Sequence, residues 1–228
     1  MLYSDQLTKS VTNMSVLKGE STFQGVTVLK YSVSYPDIRL NQRLMPHAHI
    51  NNSYFRSAHN ARRYIVNNYY ATAVQLYSSL DREFEPLEIS CEMSVMYENC
   101  GFLSVFFDTF EKLGGTVLRT RRHSDTWNLE IGKIIPLGSF FRMGARFRDV
   151  FYKEILRQIE CETALNEEKY FADWREILPY KLDFSNYYLA DDGFVIYFPE
   201  YSIAPKRSGL PSFLVPYRLF GSMLRVEL

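Results

Sequence analysis

The run from Ile89 to Thr126 limits what this chain can fold into more than any other stretch. Ile89, Cys91, Met93, Val95 and Tyr97 alternate with Ser90, Glu92 and Ser94, the two-residue period of a strand with one buried face. Asn99-Cys100-Gly101 interrupts the pattern and Phe102 to Phe110 resumes it. Gly114-Gly115 interrupts again before a third run, Thr116 to Thr126. Connections this short can join only antiparallel neighbours. The stretch predicts a meander of three strands, with Cys91 opposite Asp108 and a further turn at Ile131-Gly132-Lys133 after Trp127.

The segments before the meander are a strand and a long helix. Residues 22–35 contain the alternating run TVLKYSV, rich in β-branched and aromatic side chains, and Tyr35-Pro36 is expected to end it because proline cannot donate to a ladder. Residues 1–20 are polar and aperiodic and read as a tail or an edge segment. From Ser53 to Leu80 the apolar residues Phe55, Ala58, Ile65, Tyr69, Ala73, Leu76 and Leu80 recur at helical spacing, with Ser53 or Asn52 as N-cap.

After the meander, a second helix is expected over 143–163 and a short one over 167–177. Tyr187-Tyr188-Leu189 and Phe194 to Phe198 flank Asp191-Asp192-Gly193, an Asp-Gly hairpin signal, and Leu214 to Tyr217 supplies a last short strand. The resulting class is α+β: an antiparallel sheet meander with helices packed on one side.

Composition excludes several kinds of function. Twenty-six basic and 26 acidic residues cancel among 228, which removes the general electrostatic pull toward nucleic acid. No window approaches the ~20 apolar residues of a spanning helix. Three cysteines, Cys91, Cys100 and Cys161, are too few and odd in number for a disulfide scaffold. The first 20 residues lack the basic and apolar regions of a signal peptide. The chain as written is expected to be soluble and cytoplasmic, with no nucleic-acid partner and no membrane segment.

Chemistry-bearing residues are sparse. His47 and His49 have a spacing that could bring both rings to one metal on a strand, with His59 and His123 to complete a set, but no acids stand at recognisable positions behind them. Asp191 and Asp192 are read as turn residues. Cys91 is read as a small core hydrophobe and none of the three thiols as a nucleophile. No phosphate loop, dinucleotide fingerprint, serine elbow or zinc-protease motif occurs. No catalytic residue, cofactor or metal is therefore expected. The basic residues Arg119, Arg121 and Arg122 form the only cluster, and Lys206-Arg207 adds a second basic spot.

In order, the segments SYPDI, INNSY, LSVFFDTF with its Gly-Gly turn, TWNLEIGKIIPLGSFF, YYLADDGFVIYFPEYSIAP and LVPYRLF form a recognisable series. It resembles the paired domains of unknown function in RsiV-type anti-sigma factors and PdaC-type peptidoglycan deacetylases over about 22–220. The resemblance implies an α+β module of two intimately associated subdomains, 21–125 and 126–228, after the polar segment 1–20. It also implies a non-catalytic module, since RsiV-type members use it to bind lysozyme as a protein ligand. Two loops depart from the family: Gly114-Gly115-Thr116-Val117-Leu118 lacks the usual His and third Gly, and Pro205-Lys206-Arg207 replaces Pro-Tyr-Ala.

The expected function is a non-catalytic binding module. A protein ligand would be met by Arg119, Arg121, Tyr201, Pro205, Lys206 and Arg207. The alternatives are an exported cell-envelope sensor or peptidoglycan-associated domain, and a metal-dependent or acid/base enzyme using His47, His49, Asp191 and Asp192.

Overall fold

A computed structural model describes residues 11–39, 46–79 and 84–228. Two sheets share the chain. The larger has six strands in the order β1 (Val11–Phe23), β2 (Val26–Arg39), β3 (Leu87–Asn99), β4 (Phe102–Leu113), β5 (Thr116–Asn128) and β6 (Lys133–Ile134). Neighbours are antiparallel except β2 and β3, which run parallel from Leu29↔Leu87 to Val33↔Cys91. A parallel pair needs a crossover, and helix α1 (Pro46–Ser79) supplies it. The smaller sheet is β7 (Tyr187–Ala190), β8 (Gly193–Tyr197) and β9 (Ser212–Pro216), all antiparallel. Helices α2 (Phe147–Leu165) and α3 (Trp174–Lys181) precede it. Each sheet thus carries its helix on one face.

The meander follows the alternation of its sequence. Cys100-Gly101 closes the β3–β4 turn, with both residues at positive φ (51° and 78°), and Gly114-Gly115 closes the next. One register expectation fails. Cys91 lies opposite Thr109, and it is Glu92 that faces Asp108, because a two-residue turn and a bulge at Met96 together set the pairing. That bulge also turns Tyr97 to the far face, where it joins the core of the smaller sheet.

Of the two readings of the first residues, the edge segment holds from Val11: β1 pairs with β2 from Val11↔Arg39 to Phe23↔Val26. Three local expectations are corrected. Pro36 does not end β2. The β2–β3 pairing is already over at Val33, so the missing N–H costs nothing there, and beyond it the Asn51 side chain takes the place of a neighbouring strand. Asn51 Oδ1 accepts from the Ile38 N–H and its amide donates to the Ile38 carbonyl, both at 2.8 Å. Helix α1 begins at Pro46 rather than Ser53, and proline suits a first helical turn. Its buried stripe is Ile50, Tyr54, Ala58, Ile65 and Ala73, whereas Phe55 stays 50% exposed beside His59. Leu80 lies outside the described residues. Helix α3 sits later than 167–177.

Phenylalanine dominates the core of the second half. Phe140, Phe151, Phe194, Phe198, Phe213 and Phe220 are fully enclosed between α2 and the smaller sheet, and each contributes about 1.5–3 kcal/mol of burial. A separate cluster under α1 joins Leu29, Tyr31, Ile65, Ala73 and Ile89. The far face of β4 and β5 meets the smaller sheet. There Ser104 bonds the Thr126 hydroxyl at 2.8 Å and accepts from the Leu189 N–H at 2.9 Å, while Ser124 donates to the Tyr187 carbonyl at 2.5 Å. These bonds satisfy backbone groups of β7 that the three-stranded ladder leaves over.

Candidate functional site

Alternation along β5 deals its side chains to two faces. Arg121, His123, Asp125 and Trp127 look toward α1, and Arg122, Ser124 and Thr126 look toward the smaller sheet. Because α1 rests mainly on β2, the helix-side surface of β4 and β5 is left partly open. The result is a cleft of about 210 Å³ lined by Tyr35, Tyr54, Cys91, Phe107, His123 and Asp125 among others.

Polar groups on this helix-side face form two sets, one in the cleft and one beside it. Trp127 Nε1 donates to the Tyr54 hydroxyl at 2.5 Å, and the two rings meet edge-on at 5.7 Å. Burial, with the Asp125 charge adding to it, drives the Tyr54 hydroxyl far above its ordinary range. Asp125 itself is enclosed and meets His123 Nε2 at 3.1 Å. That bond holds the imidazole's proton affinity above its ordinary value. The ring is 74% exposed and stands at the mouth of the cleft. Further along, Glu111 accepts from Arg121 at 2.5 Å and from the Tyr69 hydroxyl at 2.6 Å. Cys91 is half-buried between the sets, its thiol pushed up by burial.

His123–Asp125 is an acid behind an imidazole, which the sequence reading did not find. Its signal was the i, i+2 spacing on an alternating strand. The other histidines do not join it. His49 is exposed and edge-on to Trp127, and His59 lies tilted against Phe55 at 4.3 Å. The side chain of His47 lies outside the described residues. Asp191 and Asp192 make the β7–β8 turn on the opposite side of the large sheet, near Tyr217. No group of three or more His, Cys, Asp or Glu side chains among the described residues could hold a metal ion.

The expected protein-binding residues are partly gathered. Loop 199–207 lies along the outer edge of β5, where the Glu200 carboxylate accepts from the Thr120 N–H at 3.2 Å and the Lys206 amine donates to the Leu118 carbonyl. Tyr201 in this loop is 68% exposed, at φ 62°, and edge-on to Phe171. Arg119 is exposed on the same strand. Pro205 is half-buried and accepts from the Ser208 N–H. The other two residues are directed elsewhere: Arg121 to Glu111 at 2.5 Å, beside the cleft, and Arg207 to Glu168 at 2.6 Å.

Part of the second half is similar to a known family. Residues 139–218 match the family described as a protein of unknown function, DUF3298. Among solved structures, a DUF3298 family protein from Pseudomonas aeruginosa PAO1 aligns with a TM-score of 0.63 at 15% identity, covering 95% of this chain and 96% of that one. A DUF3298 member from Bacteroides fragilis NCTC 9343 aligns with a TM-score of 0.59 at 14% identity, covering 95% and 94%. Both share the fold across nearly the whole chain. None of the curated proteins matches. Among the described residues, no helix is long and apolar enough to cross a membrane.

Proposed function

We propose that the protein is a non-catalytic binding module of the RsiV-like kind, with its protein ligand on the surface where the β4–β5 hairpin meets loop 199–207. The observation that carries this reading is Tyr201. A tyrosine at positive φ is strained, and such strain gathers at functional positions. This one holds a large, mostly exposed ring against Phe171, in the loop whose Lys206 amine donates to the carbonyl of Leu118, itself 42% exposed. Exposed aromatics with basic neighbours are the usual anchors of protein interfaces. The three free thiols agree with a reducing compartment.

The test pairs wild type with Tyr201→Gly, which relieves the backbone and removes the ring. Each immobilised protein is challenged with extract of the native cells and, separately, with purified lysozyme. The reading predicts a protein retained by wild type, lost by Tyr201→Gly, with thermal stability unchanged or raised. Equal capture by both proteins, or none by wild type, defeats it.

The cleft favours a second reading, an acid/base enzyme acting on a small molecule, because His123 and Asp125 stand beside the aromatic rings of Tyr35, Tyr54 and Phe107. Turnover of ester, phosphate-ester or glycoside probes by the purified chain, lost in His123→Ala, would support it.

A further inference from the structure

Strand β1 leaves one whole edge of the six-stranded sheet without a partner strand among the described residues. Such an edge is a row of unused N–H and C=O groups that pairs readily with another strand. This edge runs 13 residues, Val11–Phe23, and contains no proline. Met14 and Val16 are 45% and 48% exposed along it.

We infer that β1 pairs antiparallel with β1 of a second copy of this chain, about a two-fold axis at Gly19. The charge pattern selects the partner and the register. Lys18 and Glu20 are the only charged residues of the strand and both are exposed; across β2, Lys18 stands opposite Ser32 and Glu20 opposite Lys30. Antiparallel pairing centred on Gly19 sets Lys18 of each copy opposite Glu20 of the other, giving two attractive cross-strand pairs. A shift of the register by two residues breaks both pairs.

Gly19 suits the axis for a second reason. The residue on a two-fold meets its own copy, and glycine does so with no side chain. Its missing side chain is already used: a Cβ there would lie 2.1 Å from the Tyr31 hydroxyl, because the Tyr31 ring leans outward from β2 across Gly19. In the dimer the two Tyr31 hydroxyls come to rest about one strand spacing apart, ~4.8 Å, so the rings do not collide. The pairing makes one continuous sheet of the two larger sheets.

Sedimentation equilibrium on the full chain tests this with three variants. Wild type is expected to dimerise, more weakly as salt rises. Lys18→Glu and Glu20→Lys each turn two attractive pairs into two repulsive ones and are expected to weaken the dimer by about tenfold or more. The exchanged variant Lys18→Glu/Glu20→Lys restores both pairs and recovers the wild-type constant to within about threefold. A wild type monomeric at every attainable concentration overturns the inference. So does a dimer indifferent to Lys18→Glu, or a double variant as weak as the single ones.

Discussion

Arg122 and Asp108 face each other across β4 and β5 in a two-pronged bond, Nε to Oδ1 and a terminal nitrogen to Oδ2, both at 2.7 Å. The guanidinium lies 3.8 Å over the Phe106 ring, with Tyr188 and Tyr197 each at 5.8 Å. Both side chains are largely enclosed, 13% and 14% exposed. The pair fastens the large sheet to the small one. Arg122→Ala leaves Asp108 enclosed without its partner and is expected to cost about 3–5 kcal/mol in urea unfolding. Arg122→Lys keeps the charge, loses the fork and should fall between. A loss below about 1 kcal/mol for Arg122→Ala would show the pair to be dispensable.

Gly193 opens β8 so close to β9 that an added Cβ would lie 2.4 Å from the Val215 carbonyl oxygen. Its φ is not positive, so space and not conformational freedom demands glycine here. Gly193→Ala is expected to destabilise by about 1–3 kcal/mol. Amide exchange measured by mass spectrometry should quicken first in β9.

The His123 imidazole should titrate above the ordinary 6.5, because Asp125 accepts its proton's hydrogen bond. A raised folded value means that this stabilisation is complete below about pH 6.5 and is lost as pH rises through the folded value. Solvent screens so exposed a ring, and the contribution is under about 1 kcal/mol. The ring proton resonances followed by NMR against pH give the midpoint directly. Asp125→Asn should bring it back down, and an unshifted wild-type midpoint would contradict the bond.

Tyr97 has the one buried side-chain polar atom without a hydrogen-bond partner among the described residues, its hydroxyl oxygen. Burial, together with the neighbouring Cys100, raises its proton affinity. Tyr97→Phe removes a hydroxyl that gives nothing back for its lost hydration. Thermal melts should find the variant unchanged or more stable by up to about 1 kcal/mol, where most core substitutions destabilise.

Parts of this architecture are written plainly in local pattern. The meander needs only alternation and paired turn residues, and both lie within a few positions of each other. The β7–β8 hairpin is equally local. What escapes is set by partners distant in sequence. Pro36 looks like a strand end until Asn51, 13 residues after Ile38, is seen bonding the Ile38 backbone. Helix α1 buries Tyr54 and not Phe55 because the sheet beneath fixes its rotation. Strand β1 is hard to read because both its faces are largely wet, so its apolar residues do not outline a core. At the candidate site, comparing histidines with one another hid the bond between His123 and Asp125, although strand periodicity puts the two on one face. The same periodicity separates Arg122 from Arg119 and Arg121, which composition alone groups together.

The parallel seam between β2 and β3 carries a kinetic consequence. It is five residue pairs long, and its closure must wait until 34 helical residues have formed and swung across the sheet. Contacts that distant in sequence form late, since closing the loop precedes any reward. The β3–β5 meander can nucleate alone, and the β1–β2 hairpin joins it afterwards, so an early refolding intermediate would present the bare flank of β3 to neighbouring chains. Crowded refolding should therefore aggregate through β3, a hazard that slower dilution would relieve.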